Sequence, residues 1–239
     1  MAVLSVATEF EYPAHMVWAC AAAADRINGG YRKDSTWDYD SHAPGELVGE
    51  LVENPNNKTL VLRWLDQWRH NLLRKDTVTD RDAEDGAAAQ QFWQSQMLLL
   101  LDDKSNEYLR ACVNAAHQTT VTDLLEVSVI SSAITAAKRE ARKQERLEKK
   151  RGLRSEHVCS IGSPVIFDTE FEVIDSRYID KIGASAVECV VEGNLYMWWS
   201  NQHVEPGVYR YLKGRVKSHD TDYGTGQPVT KLNYVKVHQ

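Results

Sequence analysis

The stretch GVYRYLKGRVKSHD, Gly207 to Asp220, decides how the C-terminal third of the chain is read. Side chains of an extended strand alternate between two faces. Val208, Leu212 and Val216 are therefore expected toward a core, and Tyr209, Tyr211, Lys213, Arg215 and Lys217 on the opposite face. Gly214 permits the strong bend that a small barrel demands. An aromatic and cationic face suits single-stranded nucleic acid, because rings stack bases of any identity while cations follow the phosphates. It also suits a blander role: lysines keep an edge strand from pairing with other chains, and aromatic rings commonly fill barrel cores.

Outward from this strand the period of two persists. VIFDTEFEVID alternates Val165, Phe167, Thr169, Phe171 and Val173 with Asp168, Glu170 and Glu172; SAVECVV follows a turn near Gly183. Glu192-Gly193-Asn194 turns into LYMWWS, and VTKLNYVKV closes the series. Tyr196 and Trp198 of LYMWWS join the candidate base-stacking set, and since Trp198 and Trp199 are adjacent, at least one indole must face outward. Five short strands in roughly 80 residues match the size of an OB-fold, a Greek-key barrel that binds oligonucleotides. Gly224 and Gly226 in the loop HDTDYGTGQP are expected in a turn, because no helix N-terminus follows to hold a phosphate.

Before the strands lies KREARKQERLEKKRGLR, Lys138 to Arg154, with nine basic and three acidic residues. Residues 1–137 carry a net −9 and residues 155–239 a net −3, within a total of −6. The basic run is either a solvated helical linker, supported by a Glu145–Lys149 pair one turn apart, or an arm contacting phosphates through Arg142, Arg146, Lys150 and Arg151.

The first half reads as helical. Pro13 suits a first turn, the alanines favour propagation, and Gly29-Gly30 supply a stop, so the pattern predicts a helix from about Ala14 to Ile27. The segment 31–46 is polar and turn-rich. Leu60, Trp64, Trp68 and Leu72 recur at helical spacing as a core stripe. Thr79 is expected to cap a helix whose first turns hold Asp80, Asp82, Glu84 and Asp85 near the positive end of its dipole. A carboxylate pair there for metal or acid–base work would need partners from elsewhere in the fold, and the sequence names none. Another helix is expected over Asn106–Ala116, and one more from near Val121 with Leu124, Val127, Ile130, Ile134 and Ala137 on one face. The architecture predicted is α+β: a helical domain over 1–137, a basic helical linker over 138–154 and a five-stranded antiparallel OB-like barrel over 155–239.

Cys20, Cys112, Cys159 and Cys189 are scattered and are expected to be buried, reduced thiols; no zinc-ligand spacing occurs, and no cofactor or metal is expected. No nucleotide-binding, metalloprotease or nucleophile-elbow motif is present, so an enzyme is not expected. MAVLSVATEFEYPAH lacks a basic region ahead of an apolar core, and no apolar run reaches the roughly 20 residues of a membrane span. A soluble protein of the cytoplasm is expected.

Lys213, Gly214, Val216, Lys217 and His219, followed by Leu232, Asn233, Val235 and Lys236, resemble the C-terminal part of uncharacterised proteins of tailed bacteriophages. SEHVCSIGSPVIFDTEFEV and GNLYMWWS extend the likeness, although Cys159 stands where a glycine belongs, and DRINGGYRKDS in the helical half is similar in style. The resemblance implies a phage early or DNA-metabolism protein of the host cytoplasm with an OB-like module, and it brings no catalytic residues. Single-stranded DNA or RNA is the expected partner. The competing expectation is an interaction module in which the acidic, tryptophan-rich helical half grips a host enzyme, a defence protein or a replication protein.

Overall fold

An alanine-rich helix with apolar side chains around its whole circumference has no solvent face and belongs at the centre of a bundle. Such a helix is α1 (Ala14–Asn28), whose Val17, Trp18 and Cys20 to Ala24 are all buried in a computed structural model that describes residues 11–40, 50–101 and 106–238. Gly29, in the left-handed region at φ 65°, ends it, and its N–H donates to the Arg26 carbonyl. Two residues ahead of α1, β1 (Tyr12–Pro13), pair with the later β4.

The polar segment after α1 contains more order than its composition suggests. A hairpin forms from β2 (Thr36–Asp40) and β3 (Glu50–Asn54); residues 41–46 of the expected turn region lie outside the described residues. α2 (Asn57–Arg69) is capped by Asn56, whose side chain accepts from the Thr59 N–H at 2.8 Å. It buries Leu60 and Trp64 and half-buries Trp68, but Leu72 falls beyond its end and is exposed. α3 (Asp80–Ser95) starts in a capping box: the Thr79 hydroxyl accepts from the Asp82 N–H while the Asp82 carboxylate accepts from the Thr79 N–H.

A short 3₁₀ turn (Met97–Leu100) precedes α4 (Glu107–His117). The chain then forms β4 (Thr120–Val121) before α5 (Leu124–Arg151), so the last helix begins three residues later than the expected start near Val121, at the first residue of its apolar stripe. Val127, Ile130 and Ile134 are buried, and Ser131 donates to the Val127 carbonyl at 2.6 Å. This local bond satisfies a hydroxyl in a run rich in β-branched residues. The chain divides into two units, and the division falls inside α5, between Ala141 and Arg142.

The second unit contains seven strands: β5 (Pro164–Phe167), β6 (Phe171–Ile179), β7 (Ala184–Val191), β8 (Asn194–Ser200), β9 (Gly207–Tyr209), β10 (Tyr211–Thr221) and β11 (Pro228–His238). They form one curled sheet in the order β5-β10-β11-β8-β7-β6-β9, antiparallel throughout except for the parallel pair β8 and β11. The expected closed, wholly antiparallel five-stranded barrel is therefore corrected to an open half-barrel of seven strands. The count differs because two expected strands break, one over Asp168–Glu170 and one at Arg210. Alternation of side chains records neither a backbone break nor the direction of a partner strand.

Candidate nucleic-acid interface

Arg210 divides the Gly207–Asp220 stretch and reverses its faces. Before it, Val208 is exposed and Tyr209 is buried, with the ring 5.9 Å from Phe171 and the hydroxyl donating to the Glu205 carbonyl at 3.0 Å. After it, Leu212, Gly214 and Val216 face inward, leaving Lys213, Arg215 and Lys217 exposed and Tyr211 partly so. Tyr209 is thus a core residue. So are Tyr196, edge-on to Phe167 at 5.3 Å, and Trp198, 3 % exposed. None of these three rings offers a face to a base. The outward tryptophan is Trp199, 43 % exposed.

Pairing of β10 with β11 enlarges the cationic face beyond the residues the sequence marked. Lys213 lies in register with Lys236, Tyr211 with His238 and Arg215 with Asn233. Directly opposite residues share a face, and like charges there repel. No ion pair engages Lys213, Arg215, Lys217 or Lys236 among the described residues. Nor is β10 an edge at Lys213 and Arg215: Leu212 to Arg215 pair with β5 on one side while β11 lies on the other. Protection of an edge does not explain Lys213 and Arg215, which have a strand on either side.

Between the Lys213–Lys236 and Arg215–Asn233 pairs, one residue of β10, Gly214, opposes two of β11, Tyr234 and Val235. This β-bulge holds Tyr234 at φ 54° and leaves the residue 85 % exposed. A Cβ on Gly214 opposite would stand 3.3 Å from Val235 Cγ2, a tight contact that the Val235 side chain would have to yield to by a few tenths of an ångström. Beside the bulge, Trp199, Asn201, Gln202, Tyr234, Lys236 and His238 line an open cleft of about 460 Å³. The His238 ring also lies 5.6 Å from that of Tyr211, which links the cleft to the cationic strip.

The C-terminal turns of α5 use their basic residues differently from the phosphate arm the sequence suggested. Arg146 pairs with Asp175 of β6, Lys149 with Glu172 at 2.8 Å, and the buried Lys150 with Asp222 at 2.8 Å. The Lys150 ammonium also lies 2.6 Å from Glu188 Oε2, a close ion pair whose angles fall short of a hydrogen bond. Arg146 and Lys150 are therefore structural cations. Arg142 and Arg151 remain exposed and make no ion pair among the described residues.

Asp222 also organises the glycine-bearing loop, accepting from Thr225 N–H at 3.0 Å and its hydroxyl at 2.7 Å. Burial pushes the Asp222 carboxyl upward, but Lys150 and Thr225 outweigh it and hold the group below its ordinary value. The loop is a turn closed by its own aspartate. The acidic start of α3 has a comparable explanation: Asp82 accepts from Arg26 Nε at 2.8 Å and from Thr79, which together overcome burial and keep its carboxyl low. Among the described residues no three His, Cys, Asp or Glu side chains converge as metal ligands.

Burial raises the Cys20 thiol to about 12, with Asp82 adding to the effect, and raises Cys112 to about 11. Cys189 is buried too, but Cys159 is exposed, against expectation, in a left-handed turn at φ 58°. No described helix is long and apolar enough to cross a membrane. The chain matches no protein-family model, no curated protein and no solved structure. Tyr234, Lys236 and His238 are not among the expected site residues, because only strand register brings the C-terminal strand beside Lys213.

Proposed function

We propose that the sheet unit binds single-stranded nucleic acid on the outer face of β10 and β11, with phosphates on Lys213, Arg215, Lys217 and Lys236. The observation that carries this reading is the in-register Lys213–Lys236 pair, two like charges set opposite each other across β10 and β11 without a carboxylate partner among the described residues. A polyanion removes that repulsion and releases its own counterions. An OB-like reading of the unit has support from the strand order. With β5 and β6 taken as one bent strand, and β9 and β10 as another, five strands remain in the order 1-2-3-5-4, with the third and fifth parallel. OB modules bind oligonucleotides across their second and third strands. Here Glu188 of the second strand is engaged by Lys150, which leaves the fourth and fifth as the cationic surface. A role in phage DNA metabolism rests on the resemblance of the Lys213–His219 and Leu232–Lys236 segments alone.

Lys213→Ala, Arg215→Ala and Lys236→Ala combined should weaken binding of a labelled 20-mer oligonucleotide in fluorescence anisotropy. The slope of log affinity against log salt should fall by about 2, at roughly 0.7 for each phosphate of a single strand that is no longer neutralised. Wild-type affinity and slope in the triple variant would sink the proposal.

A second reading, a protein-binding role for the acidic helical unit, draws support from the exposed Met97, Leu98 and Leu101 beside α3. In that case a protein partner would be retained after nuclease treatment and after loss of the three cations.

A further inference from the structure

The cleft beside the strip has a feature that cation placement leaves unexplained. Tyr234 occupies the left-handed position of a β-bulge, where glycine is free of strain and a bulky side chain is an outlier. Its ring gains no packing in return, being almost wholly exposed. A strained, solvent-facing aromatic residue is retained at a cost to stability, and such residues cluster at ligand sites. Trp199 is the second aromatic wall of the same cleft, contributed by β8, whose parallel pairing of Trp198 with Leu232 sets Trp199 close to the bulge. Asn201 and Gln202 bring amides, with both donors and acceptors, to the rim. Lys236 and His238 belong both to the cleft and to the cationic strip.

We infer that this cleft is a nucleobase-stacking subsite, in which Trp199 and Tyr234 receive a base of the strand whose phosphates lie along Lys213, Lys236 and Arg215. The inference rests on the nucleic-acid reading above and adds to it a location and a division of labour. Charge complementarity argues for this occupant: an aromatic cleft continuous with an unneutralised cationic row fits an alternation of flat rings and phosphates. The cleft's volume lies within the range of small-molecule sites.

The test compares fluorescein-labelled dT20 with a 20-mer of identical backbone carrying abasic residues, and repeats the comparison with rU20 to separate DNA from RNA. The full chain should prefer the base-bearing strand. Trp199→Ala and Tyr234→Gly should each reduce that preference by about 5- to 100-fold, the range for removing one base–aromatic stack, and leave the salt slope unchanged. Tyr234→Gly should also keep or raise the thermal midpoint, since it relieves the backbone; a purely structural tyrosine would not combine greater stability with weaker binding. Equal affinity of wild type for abasic and base-bearing strands, or full preference retained by either variant, overturns the subsite while the cationic strip stands. No binding of any oligonucleotide at low salt overturns both.

Discussion

Gly86 illustrates how much one missing methyl group decides. A Cβ on Gly86 would lie 2.7 Å from the backbone carbon and oxygen of Trp18, so α3 passes α1 at backbone contact distance. Elsewhere in a helix, glycine to alanine gains about 1 kcal/mol from propensity. Here the sign reverses: Gly86→Ala should destabilise the helical unit by about 1–3 kcal/mol, because fixed backbone must move rather than a flexible side-chain end. Urea denaturation of the variant checks this, and a midpoint at or above wild type would contradict it. Tyr209 makes a related point. Its ring enters the core while Val208 stays outside, since a single break at Arg210 shifts the phase of alternation.

At the scale of the element, α5 owes its composition to the sheet its last turns face within the second unit. Three basic anchors, Arg146, Lys149 and Lys150, meet carboxylates from β6, β7 and the loop before β11. The exposed Lys149 pair contributes little, as surface ion pairs do. Lys150 differs, because it is 2 % exposed and its removal strands Glu188 and Asp222 without a countercharge. Lys150→Ala should cost about 3–5 kcal/mol in chemical denaturation. Lys150→Ala with Glu188→Gln and Asp222→Asn should recover part of that loss. Full stability of the single variant would show that the pair is not a structural tether.

Over the whole molecule, acid should act on both units through separate aspartates. Asp82 in the helical unit and Asp222 in the sheet unit are each held below their ordinary values, burial being outweighed by Arg26 and Thr79 in one case and by Lys150 and Thr225 in the other. Unfolded aspartate titrates near about 3.9, so below that value the unfolded chain binds more protons than the folded one. The stabilisation is fully present above pH ~4 and is lost as pH falls through the lower folded values. Urea midpoints should hold steady from pH 7 to 5 and drop below 4. Asp82→Asn should lower the midpoint at pH 7 and flatten its acid dependence for the helical unit.

A mainly helical part ahead of the strands of the sheet unit, the Ala14 start and Gly29 stop of α1, the Thr79 cap and the outward row Tyr211, Lys213, Arg215 and Lys217 are all legible in the chain. They are local: each follows from caps, propensity or side-chain period over a few neighbouring residues. What the tertiary structure decided was non-local. It spent Arg146 and Lys150 on carboxylates, sent Tyr196, Trp198 and Tyr209 inward, broke two strands and set Lys236 opposite Lys213. Neither strand register nor ion pairing between residues tens of positions apart is encoded in the pattern of one segment, because both depend on which surfaces the fold brings together.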